Sequence, residues 1–295
     1  MGKQLDDTWE PIVAIGMPTY NRAAYLKMAV DSFLAQTYKN VVVVICDNAS
    51  TDGTRALCEG YLKTHTQKIK YIRNPKTLTR DGNATFALHQ IVATGDLIMM
   101  TSDDDLAEPE FIEECVKALC ADPAAGMAIT NHDTIYFGTD KVDKKYINLH
   151  VPQQKGLYER LKQYILFYSH DERSFCMSGV FHRAIVENEK FEDKTESDVS
   201  FALRCLSRGY FVAATDRVLF HKGVIPGIGK ESIRTMPIGI TKIRKAIITR
   251  LRRALAEFGN MGFILFIPTL SAWQKVKLIG WDLFVVGRLF MSIKV

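Results

Sequence analysis

The chain has 295 residues, 47% hydrophobic and 24% charged, an ordinary globular composition that excludes gross disorder, a collagen-like repeat and a coiled coil. Its formal charge is +5, too small a surplus to indicate a nucleic-acid partner. The charge is unevenly placed: ten basic and two acidic residues lie from Met236 onward, so that tail carries +8 and the first 235 residues carry −3.

In chain order, Ile12–Met17 is a short apolar run and reads as a strand. Pro-Thr-Tyr-Asn follows, then Tyr25–Gln36 with helical spacing (Tyr25, Met28, Ala29, Phe33). Val41–Cys46 is a continuous β-branched run between Asn40 and Asp47, the mark of a strand buried on both faces. Ser50-Thr51-Asp52-Gly53-Thr54 follows, then a helix through Leu62, and Tyr71–Arg73 is a short strand. Asn83–Thr94 is a helix stopped by Gly95. Leu97–Met100 is another buried strand, leading into Ser102-Asp103-Asp104-Asp105. Pro109 then opens a helix to about Cys120. The middle is less regular, with a strand at Met127–Asn131, a polar stretch at Gly138–Asn148 and a helix around Leu157–Tyr168. Thr195–Arg208 is a helix capped by Gly209, and Phe211–Ala214 and Val218–His221 are strands. Lys222–Ser232, with three glycines and a proline, reads as a loop. This alternation predicts an α/β domain with a mostly parallel sheet. In such sheets ligands sit beyond the carboxyl ends of the strands, here Pro18–Arg22, Asp47–Thr54 and Asp103–Asp105.

No signal-like run and no stretch of about 18 apolar residues is present. The six cysteines form no CxxC pair, so they are expected to be reduced and the chain to face the cytosol. No G-x-G-x-x-G follows the first strand, which argues against a dinucleotide dehydrogenase, and no P-loop, HExxH or G-x-S-x-G appears.

Three adjacent carboxylates raise one another's pKa unless a cation neutralises them. Mg²⁺ or Mn²⁺ is a natural counter-ion, although a solvated acidic loop or the charge complement of the following helix would look the same. Asp47 and Asn48 can pair with a base or ribose edge, while Ser50 or Asp52 can cap the next helix. Asp198 opens a helix, as either a cap or a general base for an acceptor hydroxyl. His221 is either a core histidine or a metal or phosphate ligand.

Pro18-Thr19-Tyr20-Asn21-Arg22, Ser32–Tyr38 and Asp47-Asn48-Ala49-Ser50-Thr51-Asp52-Gly53-Thr54 together resemble the opening of family 2 inverting glycosyltransferases of GT-A fold. Thr94-Gly95-Asp96 and Ser102-Asp103-Asp104-Asp105 look like their DxD region. Ser197-Asp198, Leu203-Arg204 and Arg208-Gly209-Tyr210 look like their later "ED…LR…GY" segment. The resemblance implies a Rossmann-like GT-A sheet, a nucleotide-diphosphate sugar donor and a bridging Mn²⁺ or Mg²⁺. It implies that Pro18, Tyr20, Asn21, Asp47 and Asn48 surround the base and ribose, with Arg80 and Asn83 as further nucleotide contacts and Asp103 facing the ribose. Asp104, Asp105 and His221 would serve the metal, and Asp198 would be the catalytic base. The chain departs from the family pattern at Asn48, where a second acid is usual, at Ser102, where the first Asp of the motif is usual, and at Ser197 before the base.

The expected organisation is a catalytic domain over 1–235 and a tail over 236–295. Within the first, about 10–125 would bind nucleotide, about 126–225 the acceptor, and 222–235 would form a lid. In the tail, Ile238–Glu257 carries six Lys or Arg among apolar residues at helical spacing, and Trp273, Trp281, Phe284 and Phe290 follow. A basic amphipathic helix with aromatics reads as an in-plane membrane binder; a helix packing on the body or on a second subunit is the plainer reading. Together these features predict a peripheral enzyme on the inner face of a cell membrane, acting on a lipid-linked or saccharide acceptor, with no nucleic-acid partner. A sugar nucleotidyltransferase and a non-catalytic sugar-nucleotide or membrane scaffold are the alternatives.

Overall fold

The computed structural model describes residues 10–121, 125–145, 158, 178–188, 211–225 and 271–279. The chain divides into two compact units. One comprises Met1–Asn148, Phe175–Glu196 and Phe211–Val224; the other comprises Leu149–Ser174, Ser197–Tyr210 and Ile225–Val295.

The first unit opens with the expected alternation. Strand β1 is Val13–Thr19, helix α1 Ala23–Leu34, β2 Val41–Asp47 and α2 Thr54–Thr64. Strand β3 is Ile69–Arg73, α3 Arg80–Val92, β4 Leu97–Met100, β5 Leu106–Ala107 and α4 Phe111–Ala121. Strand β6 is Ala125–Tyr136, β7 Val142–Lys145, β8 Val180–His182, α5 Arg183–Asn188 and β9 Phe211–Val224. The sheet runs β3-β2-β1-β4-β8-β6-β9-β5, with β7 added to β6. Strands β3, β2, β1 and β4 are mutually parallel, as are β6 and β9; β8, β5 and β7 join antiparallel.

Both faces of the parallel half are covered, which is why β4 and all of β2 before Asp47 are apolar: Val43, Val44, Ile45 and Leu97 to Met99 are buried. Helix α1 buries Leu26, Ala29, Val30 and Phe33, so its inner face is rotated from the spacing of Tyr25, Met28, Ala29 and Phe33 and leaves Met28 43% exposed; α4 buries Phe111, Ile112, Cys115, Val116 and Leu119. Gly95 ends α3 where the backbone meets β1. A Cβ there would lie 2.5 Å from the Leu97 carbonyl oxygen and 2.7 Å from the Ala14 Cβ, so only glycine fits.

The second half departs from expectation in instructive ways. Phe211–Ala214 and Val218–His221 are parts of one strand, β9. The polar triplet Thr215-Asp216-Arg217 is absorbed by register shifts against Thr130–His132 rather than forming a turn. The polar stretch from Gly138 contains β7, joined to β6 by a turn in which Gly138 has φ +76° and Tyr136 N–H donates to the Lys141 carbonyl. An exposed edge strand needs no apolar alternation, so the pattern does not announce it. Helix α3 starts three residues earlier than the spacing predicts, because Thr79 accepts from the Gly82 N–H and closes the first turn.

In the second unit, residues 272–279 form helix α6. Its start is a capping box: Gln274 N–H donates to Ser271 Oγ and Ser271 N–H donates to Gln274 Oε1. The Lys277 ammonium stands 5.2 Å over the exposed Trp273 ring. The helices expected at 195–208 and 238–257, the one at 157–168 apart from Tyr158, and the 235/236 boundary lie outside the described residues. Among the described residues no helix is long and apolar enough to cross a membrane, and Cys46, Cys58, Cys115 and Cys120 are free thiols.

Candidate functional site

Because β1, β2 and β4 are parallel neighbours, the loops leaving their carboxyl ends share one edge of the sheet. The first two loops are stitched together. Asn48 N–H donates to the Thr19 carbonyl (2.9 Å), Asn21 N–H to Ser50 Oγ (2.9 Å), and Thr51 N–H to Asn21 Oδ1 (2.7 Å). Asp52 ties both following helices to this knot, one oxygen accepting from Ala23 N–H at the start of α1 and the other from Thr54 N–H at the start of α2. Neither Ser50 nor Asp52 is the N-cap of α2, which is Gly53; Asp52 accepts from the Thr54 N–H from one position further back. The knot needs two left-handed residues, Asn21 (φ 52°) and Ala49 (φ 61°). It leaves Tyr20 exposed at 45% and sends Arg22 toward β4.

Asp47 is completely buried, yet it is well supplied with donors. Ser50 N–H reaches Oδ1 at 2.8 Å, and the Tyr71 hydroxyl and the Arg73 guanidinium both reach Oδ2. Burial works to raise its pKa, but the bonds from Ser50, Tyr71 and Arg73 outweigh it and hold the carboxyl below its ordinary value. Asn48 turns its amide to the backbone of one residue: Oδ1 accepts from Leu78 N–H (2.7 Å) and Nδ2 donates to the Leu78 carbonyl (3.0 Å). Asn83 donates to the Cys46 carbonyl and accepts from Asn74. These buried amides form a satisfied polar frame around the end of β2.

The end of β4 is different. Asp103 gives one oxygen to the Thr19 hydroxyl (2.7 Å) and the other to Arg22 Nη1 (2.9 Å). The same Nη1 lies 3.3 Å from Asp104 Oδ2. Asp105 accepts from Gly223 N–H (3.0 Å) and Ser102 N–H (3.2 Å). Burial raises all three carboxyls above their ordinary value. Asp103 adds to the rise at Asp104, and burial with the charge of Asp104 pushes Asp105 up to about 7. Arg80, exposed at the start of α3, is close enough for its charge to oppose the rise at Asp104. Thr101 Oγ1, where β4 ends, is buried with no hydrogen-bond partner.

The structure therefore gathers Tyr20, Asn21, Asp47, Asn48, Asp103, Asp104 and Asp105 on one edge, with Pro18 at the end of β1 and Arg80 and Asn83 in the first turn of α3. His221 lies on β9 opposite Leu106, and its Nε2 is 2.8 Å from Glu108 Oε1. Among the described residues no group of three or more His, Cys, Asp or Glu is arranged to hold a metal unaided. Asp198 lies outside the described residues. Sequence reading gave no role to Thr19, Arg22, Tyr71, Arg73 or Gly223. Arg22 and Thr19 lie inside the quoted Pro18–Arg22 motif, so the signal was present; Gly223 was expected in a loop and lid from residue 222, whereas residues 222–224 are the end of β9 and the rest of that lid beyond 225 lies outside the described residues. A Cβ at Gly223 would fall 1.8 Å from the Asp104 carbonyl oxygen, so the acidic loop rests directly on the backbone of β9.

The solved structures that share this architecture include S. aureus TarS residues 1–349 in complex with UDP-GlcNAc. Its TM-score is 0.64 at 14% identity, over 92% of this chain and 72% of that one. The mannosyltransferase PcManGT of Pyrobaculum calidifontis, in complex with GDP-Man and Mn²⁺, gives 0.55 at 19% identity over 100% and 79%. At these identities the likeness establishes the fold, which is the GT-A type. In sequence, the Bacillus subtilis (strain 168) protein EpsE, provisionally named a glycosyltransferase, is 35% identical over 109 residues, 37% of this chain and 38% of that protein. The chain spans less than half the length of the first curated relatives it matches. The family model described as glycosyl transferase family 2 matches residues 14–187, more than half of the chain and all of the strand-end loops described above. With the loops, the fold and the family match in agreement, this chain belongs to glycosyl transferase family 2.

Proposed function

We propose that the chain moves a sugar, with inversion, from a nucleotide-diphosphate donor to a hydroxyl of a lipid-linked saccharide in bacterial surface polysaccharide or glycolipid synthesis. A UDP-sugar is the favoured donor, and Mn²⁺ or Mg²⁺ the cofactor. The observation that carries the reading is the loop after β4, where the buried Asp103 and the partly buried Asp104 converge on one cationic nitrogen, with Tyr20 exposed and the charge of Arg80 felt at Asp104. Such a loop, with its carboxyl pKa values raised by burial, fits a hard divalent cation held by one or two carboxylates and completed by substrate phosphates. UDP-GlcNAc in one solved neighbour and GDP-Man with Mn²⁺ in another support a nucleotide-sugar donor and a divalent cation.

In this reading Asp104 and Asp105 would hold the cation, which when bound would stabilise the charge of the departing diphosphate, while Asp103 faces the ribose. Asp105 also braces the loop against β9, and His221, oriented by Glu108, offers a further contact. Tyr20 presents its ring to the base, and Pro18, Asn21 and Asp47 shape the pocket behind it. Asn48 keeps its amide on Leu78, so it shapes that pocket rather than reading the base, and Asn83 supports it. Arg80 faces the phosphates. Asp198 takes the proton from the acceptor hydroxyl as it attacks the anomeric carbon from the face opposite the leaving group. Residues 1–235 form the catalytic domain, and the basic tail 236–295 brings it to an anionic membrane surface.

The test is transfer or donor hydrolysis with UDP-sugars and Mn²⁺. Turnover should require the metal and should fall sharply in Asp198→Asn while UDP binding persists. No turnover with any nucleotide sugar would sink the reading. For the tail, deleting residues 238–295 should weaken binding to anionic vesicles by about 1 kcal/mol per basic residue near the surface. Unchanged vesicle sedimentation would refute it.

A further inference from the structure

We propose that Arg22 is the resident counter-ion of the acidic loop, holding the cation place between Asp103 and Asp104 until a donor diphosphate draws its guanidinium away and a divalent cation takes over at Asp104. The inference rests on the donor-and-cation reading given above and adds an order of events to it.

Three features carry it. First, one nitrogen, Arg22 Nη1, bridges Asp103 Oδ1 at 2.9 Å and Asp104 Oδ2 at 3.3 Å, as a bound ion would. Second, the other carboxylate capacity nearby is engaged. The second oxygen of Asp103 holds the Thr19 hydroxyl, and Asp105 holds the backbone N–H groups of Gly223 and Ser102. Asp104 is the least committed of the three, and its side-chain partner is Arg22. A divalent cation reaching Asp104 therefore meets the guanidinium directly, and two positive charges repel strongly in a site this poorly solvated.

Third, the backbone of Arg22 is fixed while its side chain stays partly open to solvent. Arg22 is the N-cap of α1, its carbonyl accepts from Leu26 N–H, and Asn21 and Ala23 on either side are tied to the β2–α2 loop. Its side chain is 28% exposed. A guanidinium has five N–H donors in a planar fork that matches phosphate oxygens two at a time. A diphosphate arriving beside Asp104 can take that fork, and the carboxylate it leaves is then open to the metal. Nucleotide and cation are thus coupled through Arg22 as well as through their own contact, and the coupling is reciprocal.

The experiment measures Mn²⁺ binding to the full chain by the electron paramagnetic resonance of free Mn²⁺, with and without UDP. In Arg22→Gln, Mn²⁺ should bind the nucleotide-free protein about tenfold more tightly than it binds the parent, and the enhancement given by UDP should shrink by a similar factor. Parental or weaker Mn²⁺ affinity in Arg22→Gln, with UDP-dependent binding intact, overturns the proposal and leaves the donor reading standing. If the parent binds no Mn²⁺ even with UDP, the donor reading falls and takes the proposal with it. Should Arg22→Gln fail to fold, Arg22→Lys serves. The shorter lysine side chain sets its nitrogen back from the two carboxylates and weakens the bridge, so nucleotide-free Mn²⁺ affinity should still rise several-fold. A parental value there is equally fatal.

Discussion

Two strands of one sheet end in buried carboxylates and treat them in opposite ways. At the end of β2, Asp47 has a hydroxyl, a guanidinium and a backbone N–H to itself, and its carboxyl is held below the ordinary range. At the end of β4, Asp103, Asp104 and Asp105 share one guanidinium nitrogen, one threonine hydroxyl and two backbone N–H groups, and all three are pushed up. A carboxylate satisfied by its own protein has nothing left to offer a ligand and acts as frame. A group of carboxylates short of positive charge gains by recruiting a cation. On the proposed function, the difference gives a framing role to one corner and ligand binding to the other, and substitutions can pull those roles apart.

The largest effect is expected where the two roles cannot be separated. Gly223 supports the acidic loop by direct backbone contact, and a Cβ there would overlap the Asp104 carbonyl. Gly223→Ala must push β9 and the loop apart, breaking the Gly223 N–H bond to Asp105. We expect a loss of about 3 kcal/mol in urea unfolding and of turnover by about 100-fold or more. Parental values for both would mean that the loop does not depend on this contact.

Asp104→Asn should then separate the roles in one direction. It removes a charge that burial and Asp103 both oppose, so unfolding free energy should change by no more than about 1 kcal/mol. Turnover should fall by about 100- to 1,000-fold, the scale for losing one group that stabilises developing charge. A large stability loss with modest kinetic loss would reverse the assignment of the β4 corner.

What could be read in advance follows the same division. The frame was legible because its signals are local: the Val41–Cys46 run can only be a strand buried on both faces, and Gly95 stops a helix at the point where Ala14 leaves no room. The ordered motifs also brought Asp47 and Asp103–Asp105 to one edge. Their uses were not legible, because each partner lies far along the chain. Asn48 reads as a nucleotide contact until Leu78, 30 residues on, is seen to take both ends of its amide. Arg22 reads as the end of a motif until Asp103, 81 residues on, is seen beside it. Gly223 looks like part of a flexible loop, and only the folded backbone shows that a side chain there has no space. Strand β8 is three residues long and carries no pattern of its own.

Asp47→Asn should separate the roles in the other direction. It breaks the charge-assisted bonds from Arg73 and Tyr71, at a cost of about 2 kcal/mol near neutral pH. Because the folded pKa of Asp47 is depressed, its stabilising effect is complete above about pH 4, the ordinary carboxylate value, and is lost as pH falls through the lower folded value. The gap between parent and variant in urea midpoint should therefore be constant from about pH 5 to 7 and should narrow below about pH 4. A gap that widens in acid would contradict the depressed carboxyl. Folded variant should keep more of its turnover than Asp104→Asn does.

The smallest effect tests whether the β2 corner is only a frame. Ala49 holds φ at 61°, a conformation that sets its Cβ against the following carbonyl and costs about 1–2 kcal/mol. Glycine removes that clash but adds about 0.5–1 kcal/mol of chain entropy to the unfolded state. Ala49→Gly should therefore stabilise by about 0.5 kcal/mol, a rise in melting temperature of about 1–2 °C. Its neighbours Asn48 and Ser50 are anchored by Leu78 and by Asp47 and Asn21, so relieving the strain should not loosen the loop. UDP affinity is expected to stay within about twofold of the parent by titration calorimetry, the result for a corner that shapes the pocket without tuning it. A clear loss of UDP affinity alongside the gain in stability would show instead that the strain at Ala49 serves binding, as stored strain does at many sites. The contrast between the two strand ends would then be one of degree.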